Sequence, residues 1–323
     1  MKRTISFIAA LTMFLMISTS VSAAHYKIDY SSVVDNPVLK KIIKNSFKNR
    51  NNGLIKVPDE HPRLLLTKEY IEFLKENKDR DDINPSYDMV MTYADRALPE
   101  KFDTLSDGIN IHLASRAFCY AVGAADKNYA RTTVDLAIKY LETAVTSQTY
   151  VISVYKDYGM AALACAEVYD WCYGAMTGAQ KTKLGELIRN MLYSANQPCS
   201  PDKVEEWSHI ADKAVGQPLI YNCGIAIALY DEYPEIYETI MPVVQGPMAE
   251  IVKIYGQAGA LSDGSIAYSR DYYAFTIATM FERMGAVNFY GDQTPIGYKM
   301  LYSKTPYGAY IKQGDDFSQP NYV

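Results

Sequence analysis

A short polar segment, residues 261–273, contains the residue types needed to remove a proton from carbon. It includes Asp263-Gly264, which predicts a turn, and it precedes an apolar stretch that predicts a helix over 274–284. A tyrosine can act as the base, and a neighbouring arginine can neutralise a carboxylate beside the reacting carbon. The candidates are Tyr268, Arg270, Tyr272 and Tyr273. A tyrosine-rich packing surface is an equal alternative, because the chain has 28 tyrosines.

A second polar group precedes another apolar stretch, which predicts a helix over 217–230. His209 and Asp212 are three positions apart, so in a helix they share one face and Asp212 could orient the imidazole. The alternatives are a surface or capping histidine and a solvated aspartate. Trp207 could stack on a sugar ring, although packing in the core or at its rim explains it equally well.

The cysteines and histidines do not predict a metal site. None of the four histidines has the spacing of metal ligands, and no close pair of the five cysteines forms a metal motif. We therefore predict no cofactor from this segment. Cys119, Cys165, Cys172 and Cys223 lie in apolar helical patterns, which predicts buried free thiols, whereas Cys199 precedes Pro201 in a predicted loop.

The chain begins like a secreted protein. Residues 1–23 combine a charged start, a short apolar run and a small-residue cleavage site, which predicts a signal peptide and a periplasmic or secreted location. No cysteine follows the predicted cleavage point, so we expect no membrane anchor after cleavage. The net charge of -5 and the absence of a recognisable motif argue against a nucleic-acid partner.

From residue 58 to residue 304 the chain has the patterns of an all-α domain. Apolar helices rich in small residues alternate with amphipathic ones, and Thr67 and Thr177 are placed to cap two helices. The predicted pairs are 109–125 with 126–144, 158–173 with 177–194, and 217–230 with 233–255. Stacked hairpins of this kind form a solenoid or a closed toroid.

The two flanks of this domain have different patterns. Residues 24–57 mix charge, asparagine and glycine, which predicts a surface segment. Residues 305–323 alternate and turn like the beginning of a β region. One short strand is not stable alone, so it either packs on the helices or begins a truncated β-sheet domain.

Several segments resemble the heparinase II/III-like polysaccharide lyases, most closely those of the heparinase II type. The resemblance runs over about 58–317 and rests on the order and spacing of segments, not on one specific motif. The similar segments are His61-Pro62-Arg63-Leu64-Leu65-Leu66, 114–129, 164–176, Ser208-His209-Ile210-Ala211-Asp212, Gly224–Pro234, Gly264–Tyr268 and Gly314-Asp315-Asp316-Phe317. It implies the amino-terminal part of such a lyase: an incomplete (α/α) toroid followed by the start of the sheet domain.

The resemblance also implies a reaction and residue roles. These lyases cleave acidic, uronic-acid-containing polysaccharides such as heparin or heparan sulfate by β-elimination. Tyr268 then corresponds to the base, and to the acid as well, with His209 beside the substrate carboxylate or sharing the proton transfer. Arg270 would bind a carboxylate or sulfate, and Asp212 and Trp207 would complete the substrate contacts; Tyr272 and Tyr273 remain alternative bases. Asp212 stands where the family has glutamate, and Tyr272 where it has arginine.

Three further expectations follow from the resemblance. The family's full sheet domain would complete the cleft and could carry a structural metal, so activity of this chain alone is left open. Related enzymes often pair, which makes a homodimer possible. The alternatives are a non-catalytic glycan-binding helical module and a toroid glycoside hydrolase with two carboxylates; Asp263 and Asp271 would be the hydrolase candidates, although they share one predicted loop.

Overall fold

Nine α-helices and one π-helical segment make up the regular structure of the described residues, and no strand occurs among them. A computed structural model describes residues 54–97, 102, 105–146, 154–193, 200–201, 213–249 and 270–286. All of them belong to the larger of two compact units in the chain, Ser46–Val323. None of the described helices is long and apolar enough to cross a membrane. The prediction of an all-α domain is confirmed for these residues.

We number the helices in chain order. They are α1 Lys68–Asn77, α2 Asn84–Ala94, α3 Asp107–Ala121, α4 Lys127–Thr146, α5 Val154–Trp171, α6 Gly178–Leu192, α7 Lys213–Ala228, α8 Pro234–Val243 and α9 Arg270–Arg283, with the π-helical segment Val244–Met248 directly after α8. The sequence patterns predict all of them except α2, whose apolar face is short. The predicted helix 233–255 is interrupted, because α8 contains Pro242 and continues into the π-helical segment.

Local sequence explains where two of the helices begin. The Thr67 hydroxyl accepts a hydrogen bond from the Tyr70 amide at 3.3 Å, which caps α1 as predicted. Thr177 forms a complete capping box with Gln180 at the start of α6. Each cap satisfies amide groups that have no partner inside the helix, a contribution of about 1 kcal/mol.

The helices form two rows joined by hairpins. In one row α3 packs on α5, α5 on α7 and α7 on α9, while α4, α6 and α8 each pack on the preceding helix of that row. The hairpin α3–α4 is antiparallel, since Asn110 bonds to Tyr140 while Arg116, further along α3, bonds to Thr133. This arrangement agrees with the predicted alternation of apolar and amphipathic helices: residues 219–228 of α7 are buried throughout.

Helices α5 and α7 run parallel and approach closely. A Cβ at Gly159 would lie 2.0 Å from Cδ2 of Tyr221, and a Cβ at Gly224 would lie 2.3 Å from Cδ1 of Leu163. The contact that lies further along α5, at Leu163, also lies further along α7, at Gly224, so the two helices run in the same direction. The two glycines let each helix receive a large side chain from the other. Burial of apolar side chains between these helices stabilises the row most, because each fully buried large apolar side chain contributes roughly 2 kcal/mol.

The extended segment 54–66 runs from α8 to the carboxyl ends of α5 and α7. It begins on α8, where the Tyr237 hydroxyl donates to the Ile55 carbonyl at 2.7 Å. It ends in a tight turn in which the Leu66 amide donates to the Leu64 carbonyl at 2.6 Å. Leu65 has φ 62°, a left-handed conformation that costs a leucine about 1 kcal/mol and must be held by its surroundings.

Candidate functional site

Most of the residues predicted to do chemistry lie outside the described part of the chain. These are Tyr268, His209, Asp212 and Trp207. The structure describes the backbone of Arg270, Tyr272 and Tyr273, which form the first turn of α9. The predicted sheet region 305–323 also lies outside the described residues.

The described residues contain one buried polar cluster that joins distant parts of the chain, which we call the clamp cluster: His61, Arg63, Asp170 and Asp231. Asp170, near the end of α5, is its centre and is fully buried. Its Oδ2 accepts hydrogen bonds from the amides of Arg63 at 2.9 Å and Leu64 at 2.8 Å. Its Oδ1 lies 2.6 Å from Nδ1 of His61. One carboxylate thus fixes the backbone and a side chain of the crossing segment.

Arg63 fastens the same segment to the end of α7. Its Nε donates to the Ile227 carbonyl at 2.9 Å, and its Nη2 donates to the Ala228 carbonyl at 3.4 Å. These are carbonyls of the last turn of a helix, where a cation is favoured by the helix dipole. Nη1 donates to Oδ1 of Asp231 at 3.0 Å, so the buried guanidinium has a counter-charge.

His61 lies between the two carboxylates and against an aromatic ring. Its Nε2 is 3.1 Å from Oδ2 of Asp231, and its side chain is only 5% exposed. The ring stacks on Tyr173 with 3.7 Å between centroids. The Tyr173 hydroxyl donates to Oε1 of Glu232 at 3.2 Å, and Nζ of Lys181 lies 3.3 Å from the centre of the tyrosine ring.

A cavity of about 670 Å³ opens beside the clamp cluster. It lies between the crossing segment, the beginning of α1 and the ends of α3 and α9. Charges of both signs line it: Asp59, Glu60, Lys68, Glu69, Glu72, Lys75 and Arg283. Several are already engaged, since Glu72 pairs with Lys75 at 3.0 Å and the Arg283 guanidinium lies 3.5 Å from the centre of the Tyr70 ring. The lining therefore does not present charge of a single sign.

The clamp cluster is built to hold elements together, not to exchange protons with a substrate. Both ring nitrogens of His61 face carboxylates, so neither is available as a base. Burial, and then the negative charge of Glu232, raises the pKa of Tyr173 to about 12, so this phenol keeps its proton. Burial acts to raise the pKa of Asp231, but hydrogen bonds from Arg63 and His61 outweigh it and the net shift is downward.

One carboxyl group on α5 lacks any such partner. Glu167 lies one turn before Trp171 and is half-buried, and it makes no hydrogen bond or ion pair with any residue that the structure describes. Burial, and then the negative charge of Asp170, raises its pKa to about 8. Glu167 is therefore largely protonated at neutral pH.

Sequence reasoning did not assign a role to His61, Asp170 or Asp231. His61 and Arg63 stand in the segment that resembles the lyase family, and Asp170 stands in another such segment, but more than 100 residues separate them. The one local signal was Asp170 itself, an aspartate inside an apolar helix. A carboxylate that is buried there needs hydrogen-bond or charged partners from elsewhere in the chain. Among the residues that the structure describes, no group of three or more His, Cys, Asp or Glu could hold a metal ion.

No model of a known protein family matches the chain, and no curated protein sequence matches it either.

Proposed function

We propose that this protein is a polysaccharide lyase, or the helical part of one, that cleaves an acidic, uronic-acid-containing polysaccharide by β-elimination. One observation supports it best: the two helices that follow the predicted catalytic segments pack against each other. Helix α7 begins at Lys213, one residue after Asp212, and α9 begins at Arg270, two residues after Tyr268.

The geometry of these two helices favours one shared site. A Cβ at Gly224 of α7 would lie 3.5 Å from Cε of Met280 in α9. Gly224 and Met280 stand at similar distances from the first residues of their helices, as expected for parallel neighbours in a row of hairpins. The predicted residues would then lie at adjacent amino-terminal helix ends, opposite the clamp cluster, which occupies carboxyl ends.

The proposed chemistry divides among the predicted residues. Tyr268 removes the C5 proton and returns a proton to the departing O4 oxygen, while Arg270 and His209 neutralise the substrate carboxylate. Asp212 orients His209, and Trp207 stacks on a sugar ring; Tyr272 and Tyr273 are the alternative bases. An amino-terminal helix end also favours the developing negative charge.

The proposal extends to architecture and location. The two rows are part of an (α/α) toroid, and residues 305–323 begin the sheet domain that completes the cleft. The protein acts in the periplasm or outside the cell after its signal peptide is removed. Its partner is the acidic polysaccharide, and a second copy of the chain is a further candidate partner.

The test is ultraviolet-monitored turnover of a panel of uronic-acid polysaccharides by the full chain. Elimination creates a carbon–carbon double bond that absorbs, so absorbance should grow with the native chain and stop with Tyr268→Phe. Tyr87→Phe on α2 is the matched control, because its ring packs on Phe118, away from α7 and α9, and should leave the rate unchanged.

Each alternative has its own outcome. New reducing ends without absorbance would indicate hydrolysis, and binding without any cleavage would indicate a glycan-binding module; either result rejects the lyase. Undiminished elimination by Tyr268→Phe would keep the reaction but reject Tyr268 as the base.

A further inference from the structure

The face of α5 that points away from the second row carries one carboxyl group, that of Glu167. The residues of α5 from 158 to 172 are all buried with four exceptions: Met160, Leu163, Glu167 and Trp171. Tyr169 marks the opposite face, because its ring lies against Gly185 of α6. Successive residues of a helix turn by about 100°, so Met160, Glu167 and Trp171 project roughly opposite to Tyr169.

Apolar side chains surround this carboxyl group. Trp171 follows Glu167 by four residues, a spacing at which helical side chains are neighbours. The indole of Trp171 meets Phe118 of α3 with 6.4 Å between ring centroids, and Ile111, two turns before Phe118 on the same side of α3, is 43% exposed. Both rings pack on a buried apolar cluster in α1 and the turn before it: Leu66, Ile71 and Leu74. We call the half-exposed residues of α3 and α5 the α5 surface: Ile111, Phe118, Met160, Leu163, Glu167 and Trp171.

The surroundings of Glu167 do not balance a carboxylate charge. Burial, and then the negative charge of Asp170, raises its pKa to about 8, and both influences disfavour the ionised form. The neighbouring elements turn uncharged groups to the α5 surface: Phe118 of α3, Gly224 of α7 and the Leu64 carbonyl of segment 54–66. A cation next to Glu167 would favour the ionised carboxyl, whereas an anion would disfavour it further.

We propose that the α5 surface binds an organic cation: Glu167 pairs with its ammonium group, and Met160, Leu163 and Trp171 pack on its apolar body. An indole ring adds its own attraction for an ammonium group. A metal ion fits this surface poorly, because Ca²⁺ and Mg²⁺ take about six or more oxygen ligands and the apolar neighbours of Glu167 supply none. On binding, the Glu167 proton passes to solvent and the ammonium group becomes the partner of the carboxylate.

The first experiment titrates the full chain with phenethylammonium and, for comparison, with the neutral phenethyl alcohol. The chain has two tryptophans, so Trp207→Phe leaves Trp171 as the only one, and its fluorescence reports an occupant of the α5 surface. In this background we expect a saturable change with the ammonium probe and an affinity about tenfold lower after Glu167→Gln. Glu76→Gln, on the exposed face of α1, is the matched control and should leave the affinity unchanged.

The second experiment counts protons by calorimetry in two buffers of different protonation enthalpy. At about pH 7 the probe is charged and Glu167 is largely protonated, so binding should release about one proton per ligand from the native chain and none from Glu167→Gln. An exposed carboxylate is already ionised at this pH and would release none. The site is overturned by the absence of saturable binding, by equal affinities of the native chain and Glu167→Gln, by binding without proton release, or by phenethyl alcohol binding as tightly as phenethylammonium.

Discussion

Gly159 of α5 lies directly against the ring of Tyr221 of α7, so closely that a Cβ there would lie 2.0 Å from Cδ2 of the tyrosine. No rotation of a methyl group can relieve such an overlap, because the obstacle is a buried aromatic ring. The distance between the two central helices of the row is therefore set by the absence of a side chain at residue 159.

We predict that Gly159→Ala lowers the free energy of unfolding by about 2 kcal/mol or more, because the helices must separate. Gly224→Ala should cost less, since its obstacle is Cδ1 of Leu163, the end of a flexible side chain. Gly178→Ala is the control: it has open space around it at the start of α6 and should be neutral or stabilising. Urea unfolding measures all three, and equal losses for Gly159→Ala and Gly178→Ala would contradict the prediction.

Asp170→Asn should destabilise the protein by about 3 kcal/mol, because an amide cannot accept from two backbone amides and also balance His61 and Arg63. Asp135→Asn is the matched control. Asp135 is exposed on α4 and accepts one hydrogen bond from Gln180 at 2.7 Å, so its loss should cost about 0.5 kcal/mol or less. Thermal and urea unfolding would both report the difference, and comparable costs at the two positions would show that the clamp cluster contributes little.

Glu167 should make the protein less stable at alkaline pH. Its pKa in the folded protein, about 8, is above its ordinary value of 4.5, so the folded state binds the proton more tightly. Its contribution is fully present below about pH 4.5 and disappears as the pH rises through about 8. Glu167→Gln removes this titration, and we expect its stability relative to the native chain to improve by roughly 4 kcal/mol between pH 4.5 and pH 9.

Glu76→Gln, on the exposed face of α1, provides the comparison for Glu167. Its stability relative to the native chain should not change over the same range. If Glu167→Gln behaves in the same way as Glu76→Gln, the carboxyl of Glu167 is not held in its neutral form by the fold.

The described cysteines should not react with thiol reagents in the folded protein. Cys119, Cys165, Cys172 and Cys223 are buried and free, as the sequence predicts. Burial raises the pKa of Cys172 to about 12 and also raises that of Cys165 and Cys223, so little reactive thiolate forms. At most one of the five thiols, Cys199, should react before unfolding, and all five after it. Reaction of two or more thiols before the chain unfolds would contradict this prediction.

Local patterns were sufficient to predict most of the helices, because each depends on neighbours in sequence. Thr177 and Gln180 are three residues apart, and their capping box follows from that spacing. The clamp cluster could not be predicted in this way. Asp170 meets Arg63 across 107 residues, and Asp231 meets it across 168, distances at which composition and periodicity carry no information. The proposed catalytic residues stay predictions, since Tyr268 and His209 lie outside the described residues.

The long sequence separation within the clamp cluster orders the events of folding. Arg63 is synthesised early, but its partner Asp231 follows 168 residues later. Until the turn after α7 exists, the guanidinium has nothing to balance its charge inside the protein, so the crossing segment stays in water. The hairpins can assemble from local contacts as the chain grows, whereas the segment before α1 can only dock on them afterwards. The first described residues of the chain are thus among the last to reach their native positions.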